Sequence, residues 1–158
     1  MIIYKAPEDS TESSGPRVFL AGSIELNTAE LWQDKVTEAL ADLDVTILNP
    51  RRDDWDSSWT QEISNPQFNQ QVTWELDNLD ASDIIVLYFD PATKSPISLL
   101  ELGLYASSKK LLVCCPEGFW RKGNVDIVCY RHKITQYDSL TELVKSLRNF
   151  IIFTQNKK

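Results

Sequence analysis

The stretch Asp83-Ile-Ile-Val-Leu-Tyr-Phe89 decides the fold, because six consecutive apolar or aromatic residues follow a single aspartate. A run this continuous predicts a β-strand that is buried on both faces, as in a parallel sheet. Apolar runs at residues 17–21, 45–48 and 111–115 predict three further strands. Residues 133–136 predict a weaker fifth strand, so the expected sheet has five strands.

Between these predicted strands, the apolar residues have the spacing of amphipathic helices. Apolar residues recur at intervals of three and four over residues 27–43 and 68–79, and residues 97–107 predict a third helix. Ser139 and Glu142 have the spacing of a capping box, which predicts a last helix through about Phe150. Strands that alternate with helices predict an α/β fold, a three-layer flavodoxin-like or Rossmann-like sandwich with a parallel sheet in the order 2-1-3-4-5.

The length of 158 residues fits one domain, and the sequence has neither an internal repeat nor a linker. We expect this domain to span residues 17–153. Residues 1–16 are expected to form a polar, mobile lead-in without an export signal, and residues 154–158 a polar tail.

Charge and length exclude two classes of partner. The 16 basic and 23 acidic side chains give a net charge of −7, which opposes binding of a DNA or RNA polymer. The longest apolar runs are far too short to cross a bilayer, so no membrane partner is expected.

The remaining composition gives no sign of a cofactor. Three cysteines and one histidine lack any CxxC spacing, which predicts buried reduced thiols in a cytoplasmic protein and no metal site. Neither GxGxxG nor a Walker A motif is present, so no organic cofactor is expected.

In such a fold, ligands bind beyond the carboxyl ends of the strands. Three segments leave that edge, at residues 21–25, 49–55 and 90–96. Within the first, the backbone N–H groups of Gly22 and Ser23 offer a place for an anion, or the pair is a plain turn.

Carboxylates are the candidate catalytic groups, because the single histidine, His132, rules out a Ser-His-Asp system. Glu101 lies among leucines on the helix after the third strand, and Glu75 lies on the preceding helix. Each is either a working acid, base or nucleophile, or a solvated residue on a helix surface.

Four segments together resemble the nucleoside 2-deoxyribosyltransferase family and the related deoxynucleoside 5′-monophosphate N-hydrolases. They are Val18-Phe-Leu-Ala-Gly-Ser-Ile24, Asn49-Pro-Arg-Arg-Asp-Asp-Trp55, Phe89-Asp-Pro-Ala-Thr-Lys-Ser-Pro-Ile-Ser-Leu-Leu-Glu-Leu-Gly-Leu-Tyr-Ala106 and Gly118-Phe-Trp-Arg-Lys-Gly-Asn-Val-Asp126. The resemblance runs from about Arg17 to Phe150. The Glu-Leu-Gly motif alone is weak, but four segments in order at strand ends are specific.

The resemblance implies roles for individual residues. Glu101 resembles the nucleophile that attacks C1′ of a 2′-deoxyribonucleoside, and Glu75 a carboxylate that contacts and protonates the base. Ser95 matches a position at the 5′ side of the sugar. Asn124 matches a residue that reaches a sugar hydroxyl, in some relatives from a neighbouring subunit, and Asp126 lies two residues further on.

Two positions depart from the family pattern. Phe19 stands where a tyrosine often hydrogen-bonds the nucleophile, so another donor must orient Glu101 or its pKa must be set differently. Glu25 stands where the monophosphate hydrolases carry arginine. A carboxylate there opposes a 5′-phosphate and favours an unphosphorylated nucleoside. Ser95 and Ser23 leave this question open, because the resemblance implies Ser at the position of Ser95 in the monophosphate hydrolases and often Asp in the transferases.

The loop after the second strand supplies candidates for contact with the base. Trp55 or Trp59 either stacks on a nucleobase or seals the loop onto the protein. Arg51 and Arg52 either bind a base edge or form ion pairs with Asp53 and Asp54.

The expected function is exchange of the base of a 2′-deoxyribonucleoside through a covalent deoxyribosyl-Glu101 intermediate. The expected partners are a nucleoside and a free nucleobase. Hydrolysis of deoxynucleosides or their 5′-monophosphates is the first alternative, and a binding module without turnover is the second. A homo-oligomer with sites near its subunit interfaces is expected, with the apolar run 150–153 as one surface in need of burial.

Overall fold

The computed structural model describes residues 1–25 and 29–156 of the chain. In this part of the chain, six parallel strands form one sheet in the order β1-β3-β2-β4-β5-β6. The strands are β1 (Ile2–Lys5), β2 (Arg17–Gly22), β3 (Thr46–Asn49), β4 (Ile84–Tyr88), β5 (Leu111–Cys114) and β6 (Thr135–Tyr137). The helices are α1 (Trp32–Ala39), α2 (Pro66–Ala81), α3 (Pro96–Tyr105), α4 (Lys122–His132) and α5 (Leu140–Gln155).

The α/β class, the parallel sheet and the relative order of the five predicted strands are confirmed. The expected number of strands was wrong, because β1 adds a sixth strand at the edge. Ile2–Lys5 pairs in parallel with Thr46–Asn49. Part of the segment expected to lie outside the domain therefore belongs to the sheet. This strand is short and only partly buried, so its sequence carries little hydrophobic pattern.

Two apolar clusters hold the three layers together. β4, predicted from its continuous apolar run, is buried along its whole length at the centre of the sheet. On one face, α1 and α5 cover the sheet through Trp32, Val36, Leu143, Leu147 and Ile151. On the other face, α2, α3 and α4 contribute Trp74, Leu79, Leu102, Val125 and Cys129.

Capping hydrogen bonds between neighbouring residues set where two of the helices begin. Asn65 caps α2 by accepting the Phe68 N–H at 2.9 Å, and Pro66 occupies the first helical position, where its fixed φ is suited to a helix. Ser139 accepts the Glu142 N–H, so the predicted cap of the last helix is confirmed. The helix expected from Asn27 lies partly outside the described residues, and its described part is Trp32–Ala39.

The sequence pattern did not predict α4. Only Val125 and Cys129 of this helix are buried, so it lacks the apolar stripe that gives a helical period. α4 begins beside the carboxyl ends of β5 and β6 and adds a third helix to the face that carries α2 and α3.

Candidate active site

Glu101 is a buried carboxyl on α3. Pro96 starts this helix, and Ser98, Glu101 and Leu102 are its buried residues. Only 7% of the Glu101 surface is exposed. Burial, and to a smaller extent the charge of Glu75, raise the pKa of Glu101 to about 8. Of the two interpretations left open by the sequence, this geometry excludes a solvated helix surface.

Glu75 on α2 is the second carboxyl of the site. The charges of Glu75 and Glu101 are close enough to influence each other. Burial raises the pKa of Glu75, and a hydrogen bond from Gln71 opposes this shift. The Gln71 Nε2 lies 2.8 Å from the Glu75 Oε1. Burial together with like charge favours the protonated form of at least one carboxyl of the pair.

No hydrogen bond to the Glu101 carboxyl is found within the described residues; burial and the charge of Glu75 are the causes of its pKa shift. Phe19, at the position where the resemblance leads one to expect a tyrosine, is fully buried on the face of β2 toward α3 and packs against Trp74. The described residues therefore provide no hydrogen bond in place of the missing phenol that would oppose the effect of burial and of Glu75 on the pKa of Glu101.

Three hydroxyl groups form a closed cluster at the carboxyl ends of β2 and β4. The Ser23 Oγ lies 2.9 Å from the Thr93 Oγ1 and 2.6 Å from the Ser95 Oγ, and the Thr93 and Ser95 hydroxyls are 2.7 Å apart. The Asp90 N–H donates to the Ser23 Oγ at 2.8 Å. This cluster fixes the start of α3, on which Glu101 lies.

Glu25 caps α3. Its Oε1 accepts the N–H groups of Lys94 at 2.7 Å and Ser95 at 2.8 Å. Ser95 adopts a left-handed backbone with φ of 46°, which is uncommon for a residue with a side chain. The carboxylate and the hydroxyl cluster hold Ser95 in this conformation. A negative charge of the protein itself thus occupies the positive end of the helix that carries Glu101.

Gly22 is required by the close approach of two strands. Its φ is 135°, and a Cβ atom there would lie 2.3 Å from the Tyr88 carbonyl oxygen. The neighbouring Ser23 N–H donates to the same carbonyl at 2.9 Å. Because this N–H already has an acceptor, the contact favours a structural turn over an anion site at these two residues.

The loop over residues 51–65 packs its own aromatic and charged side chains together. Trp55 and Trp59 make an edge contact with ring centroids 5.2 Å apart, and Arg52 lies 5.0 Å from the centre of the Trp59 ring. Arg52 also forms an ion pair with Asp54 at 2.6 Å. Both tryptophans remain half-buried, so part of their surface is available to a ligand.

The three remaining candidate residues are Asp53, Asp126 and Asn124. Asp53 is exposed and forms an ion pair with Lys5 on the edge strand, 2.8 Å away. Asp126 accepts hydrogen bonds from Lys122 and Gln136, which direct its carboxylate toward β6. Asn124 is exposed at the start of α4. None of these three forms a hydrogen bond with Glu75 or Glu101 in the part of the chain that is described.

Two cavities lie on different parts of the domain. One of about 310 Å³ lies between α3 and α4 and is lined by Leu99, Leu102, Gly103, Arg121, Asn124, Val125 and Val128. The other, of about 400 Å³, lies at the opposite edge of the sheet, by the amino ends of β4, β5 and β6. Neither of these two cavities is lined by Glu75 or Glu101.

The described residues contain neither a metal-binding cluster nor a membrane-spanning helix. No group of three or more His, Cys, Asp or Glu side chains with metal-binding geometry is found within residues 1–25 and 29–156. Over the same residues, no helix has the length and apolar character needed to cross a membrane.

Gln71 lies beside Glu75 and was not among the residues predicted from the sequence. It lies one helical turn before Glu75, and that spacing was the available signal, because residues four apart on a helix share a face. Its amide also donates to the Pro50 carbonyl oxygen at 2.9 Å. Gln71 therefore connects the second carboxyl to the start of the 51–65 loop.

Comparison with known proteins agrees with this arrangement. The family model described as "Nucleoside 2-deoxyribosyltransferase like" matches residues 15–119, which include both glutamates. No curated protein matches the sequence significantly. A crystal structure of a conserved protein from Enterococcus faecalis V583 is similar with a TM-score of 0.61 and 15% identity, over 86% of this chain and 99% of that one. That similarity concerns the fold. On the match of the family model, this chain belongs to the nucleoside 2-deoxyribosyltransferase-like family.

Proposed function

We propose that this protein is a nucleoside 2-deoxyribosyltransferase that exchanges the base of a 2′-deoxyribonucleoside through a covalent intermediate on Glu101. One observation carries the proposal. Glu101 and Glu75 are two largely buried carboxyls on α3 and α2, the charge of Glu75 raises the pKa of Glu101, and neither forms an ion pair within the described residues. Such a pair is suited to a reaction in which one carboxyl attacks and the other transfers a proton.

The proposed reaction proceeds in two displacements. A Glu101 carboxylate oxygen bonds to C1′ while the bond from C1′ to the base nitrogen breaks and its electron pair goes to the base. Glu75 gives its proton to that base. A second base then bonds to C1′, the electron pair of the C1′–O bond returns to Glu101, and Glu75 recovers a proton from the incoming base. Two inversions give net retention at C1′.

The environment of Glu75 fits its role as the acid, whereas Glu101 has to lose its proton when the substrate binds. Burial raises the pKa of Glu75, which helps it to hold the proton that a leaving base needs. Glu101 must be ionised to attack C1′. In the reactive complex Glu101 is therefore deprotonated, and Glu75 carries the proton. An oxocarbenium-like transition state carries positive charge, which a buried carboxylate stabilises more strongly than an exposed one.

We propose that the substrate is an unphosphorylated nucleoside. The carboxylate of Glu25 takes up the Lys94 and Ser95 N–H groups, which an anion would otherwise approach at the start of α3. Its charge opposes a 5′-phosphate on the same side of the site. Ser95 lies on this side of the proposed site. Its hydroxyl is hydrogen-bonded to the hydroxyls of Ser23 and Thr93.

We also propose a homo-oligomer built on α3 and α4. α3 is apolar around most of its circumference, and Ile97, Leu100 and Leu104 are each 58% exposed. Ile127 and Tyr130 on α4 are also exposed. A helix that is apolar on all sides is normally buried. Asn124 lies beside this surface, so a second copy placed there would bring the two active sites close to the interface.

We place the protein in the cytoplasm on the basis of its thiols. Cys114, Cys115 and Cys129 are all free and buried, and burial is the main cause that raises their pKa values to about 12, 12 and 11. Cys114 and Cys115 pack into opposite faces of the sheet, so they do not pair. Unpaired buried thiols are typical of a reducing compartment.

Incubation with a 2′-deoxyribonucleoside, with and without a different free base, tests the proposal. Formation of the new nucleoside, followed by chromatography, supports transfer, and an intact-mass adduct of one deoxyribosyl group on Glu101 supports the covalent step. Release of deoxyribose at a rate that ignores the added base would instead identify a hydrolase. Tight binding without turnover or adduct would identify a binding module.

A further inference from the structure

Gln71 is a buried amide beside the proton-transferring carboxyl. Only 4% of its surface is exposed. Its Nε2 donates to the Pro50 carbonyl oxygen at 2.9 Å and to the Glu75 Oε1 at 2.8 Å. An amide nitrogen carries two hydrogens, and these two acceptors use both of them.

This hydrogen bonding fixes the orientation of the amide. If the amide were reversed, its oxygen would face the Pro50 carbonyl oxygen, and two acceptors would repel each other. The Gln71 Oε1 is therefore an acceptor, and it is buried without a hydrogen-bond partner in the described part of the chain. Buried polar atoms almost always have a partner, so an orphaned one beside a reactive carboxyl points to a group supplied by a ligand.

We propose that Gln71 and Glu75 together recognise a base that carries an exocyclic amine next to a ring nitrogen. The inference rests on the proposed function, in which Glu75 gives its proton to the base. The Gln71 Oε1 accepts an N–H of the amine while the Glu75 O–H donates to the neighbouring nitrogen. Adenine and cytosine present this edge; hypoxanthine and uracil carry a carbonyl where the amine would be.

Discrimination against the carbonyl base follows from the same geometry. A carbonyl oxygen placed against the Gln71 Oε1 sets two acceptors face to face. The amide cannot turn to donate, because turning would break the hydrogen bonds to Pro50 and Glu75 together. A site built to bond a donor group rejects an analogue that lacks it far more strongly than an apolar pocket does.

Access to this acceptor requires movement of the adjacent loop. The Gln71 Oε1 has no solvent exposure, whereas Glu75 is partly exposed. The loop begins at Arg51, directly after the Pro50 carbonyl held by Gln71, and contains neither helix nor strand until α2 begins. The Nε and Nη2 atoms of Arg51 are also buried without a partner in the described residues. Displacement of this segment by substrate would uncover both orphaned groups.

The test compares matched substrates that differ only at this position. Wild-type enzyme is given 2′-deoxyadenosine or 2′-deoxyinosine, and 2′-deoxycytidine or 2′-deoxyuridine, as donors of deoxyribose. We expect kcat/KM to be at least about tenfold higher for the amino member of each pair that is accepted. A ratio within about twofold in every accepted pair, with turnover intact, overturns the base-recognition inference but leaves the transferase proposal standing.

Calorimetric binding of the same four nucleosides separates the two proposals if there is no turnover. Preferential binding of the amino members supports the role of Gln71 although the enzyme proposal fails. Absence of binding by all four overturns both proposals.

A variant assigns the preference to Gln71. Gln71→Met keeps the length of the side chain and removes its polar atoms, and we expect the ratio of amino to carbonyl substrate to fall to within about threefold. Gln67→Met, one turn earlier on α2 and exposed, is the matched control and should keep the wild-type ratio. An unchanged ratio in folded Gln71→Met overturns the assignment. If that variant does not fold, the wild-type comparison and the binding measurements decide.

Discussion

The buried carboxyl of Glu101 lies within electrostatic reach of Glu75, whose charge adds to the effect of burial and raises the pKa of Glu101 to about 8. Glu75 accepts a hydrogen bond from Gln71, and no hydrogen bond to the Glu101 carboxyl is found within the described residues. Burial and the charge of Glu75 thus favour the protonated form of Glu101 in the free protein. Substrate binding has to remove this proton, because attack on C1′ needs the ionised form of Glu101 and protonation of the base needs the acid form of Glu75.

Glu101→Gln is expected to abolish base exchange, with a fall in rate of at least about a thousandfold, because an amide oxygen is a poor nucleophile toward C1′. The amide has nearly the same volume, so the fold should remain intact by circular dichroism. Glu38→Gln on α1 is the matched control, since Glu38 is exposed on the opposite face of the sheet. Full exchange activity in folded Glu101→Gln would contradict the proposed nucleophile.

The same substitution should change how stability depends on pH. The pKa of Glu101 rises on folding from its ordinary value of 4.5 to about 8. Between these values the folded protein binds a proton that the unfolded chain has lost, so the free energy of unfolding falls as pH increases. The slope from one such group is at most about 1.4 kcal/mol per pH unit.

Denaturant unfolding of wild type and Glu101→Gln at several pH values measures this effect. We expect the variant to gain stability over wild type as pH increases from 5 to 8, whereas the difference should be small at pH 4. Parallel stability curves across this window would show that Glu101 does not take up a proton on folding.

Phe19→Tyr is expected to lower the pKa of Glu101, because a phenol on the face of β2 toward α3 would donate to the carboxylate and stabilise its charged form. The pH at which kcat/KM reaches half its plateau should then move to lower pH, and activity at pH 7 should increase severalfold. A pH–rate profile of each enzyme measures this shift. An unchanged midpoint would mean that the residue at position 19 does not reach the nucleophile.

The tryptophans of the 51–65 loop are expected to contribute to nucleoside binding. Stacking on a base is worth roughly 1–3 kcal/mol, so Trp55→Ala should raise the dissociation constant about fivefold or more. Quenching of tryptophan fluorescence during a nucleoside titration, together with calorimetry of the variant, measures this. A weaker fold with unchanged affinity would instead support the alternative that Trp55 seals the loop onto Trp59 and the protein surface.

The apolar surface on α3 and α4 is expected to hold two copies together. Leu100→Glu places a charge in the middle of this surface and should convert the oligomer to a monomer, as measured by analytical ultracentrifugation. Phe150→Glu is the comparison, because Phe150 is similarly exposed on α5, which covers the other face of the sheet. Dissociation by Phe150→Glu alone would assign the interface to α5, and a monomeric wild type would exclude both surfaces.

Much of this protein was determined by its sequence alone. The continuous run at residues 83–89 predicted the central parallel strand, since a strand with both faces covered needs no polar alternation. Ser139 and Glu142 predicted the start of α5, because a capping hydrogen bond depends only on neighbouring residues. Glu101 and Glu75 were singled out as candidates from their places on predicted helices, and the resemblance to the family implied their roles, which stay predictions.

Only the tertiary structure decided the rest. The edge strand Ile2–Lys5 and the helix α4 have weak patterns of their own and depend on contacts with distant residues. The proposed role of Gln71 depends on its hydrogen bond to the carbonyl oxygen of Pro50, which is 21 positions away in the chain. Burial of Glu101 beside Glu75, and therefore the pKa of each, arises from packing of α2 and α3 on one face of the sheet. A sequence shows which groups can ionise, but desolvation and neighbouring charge depend on distances that exist only in the folded chain.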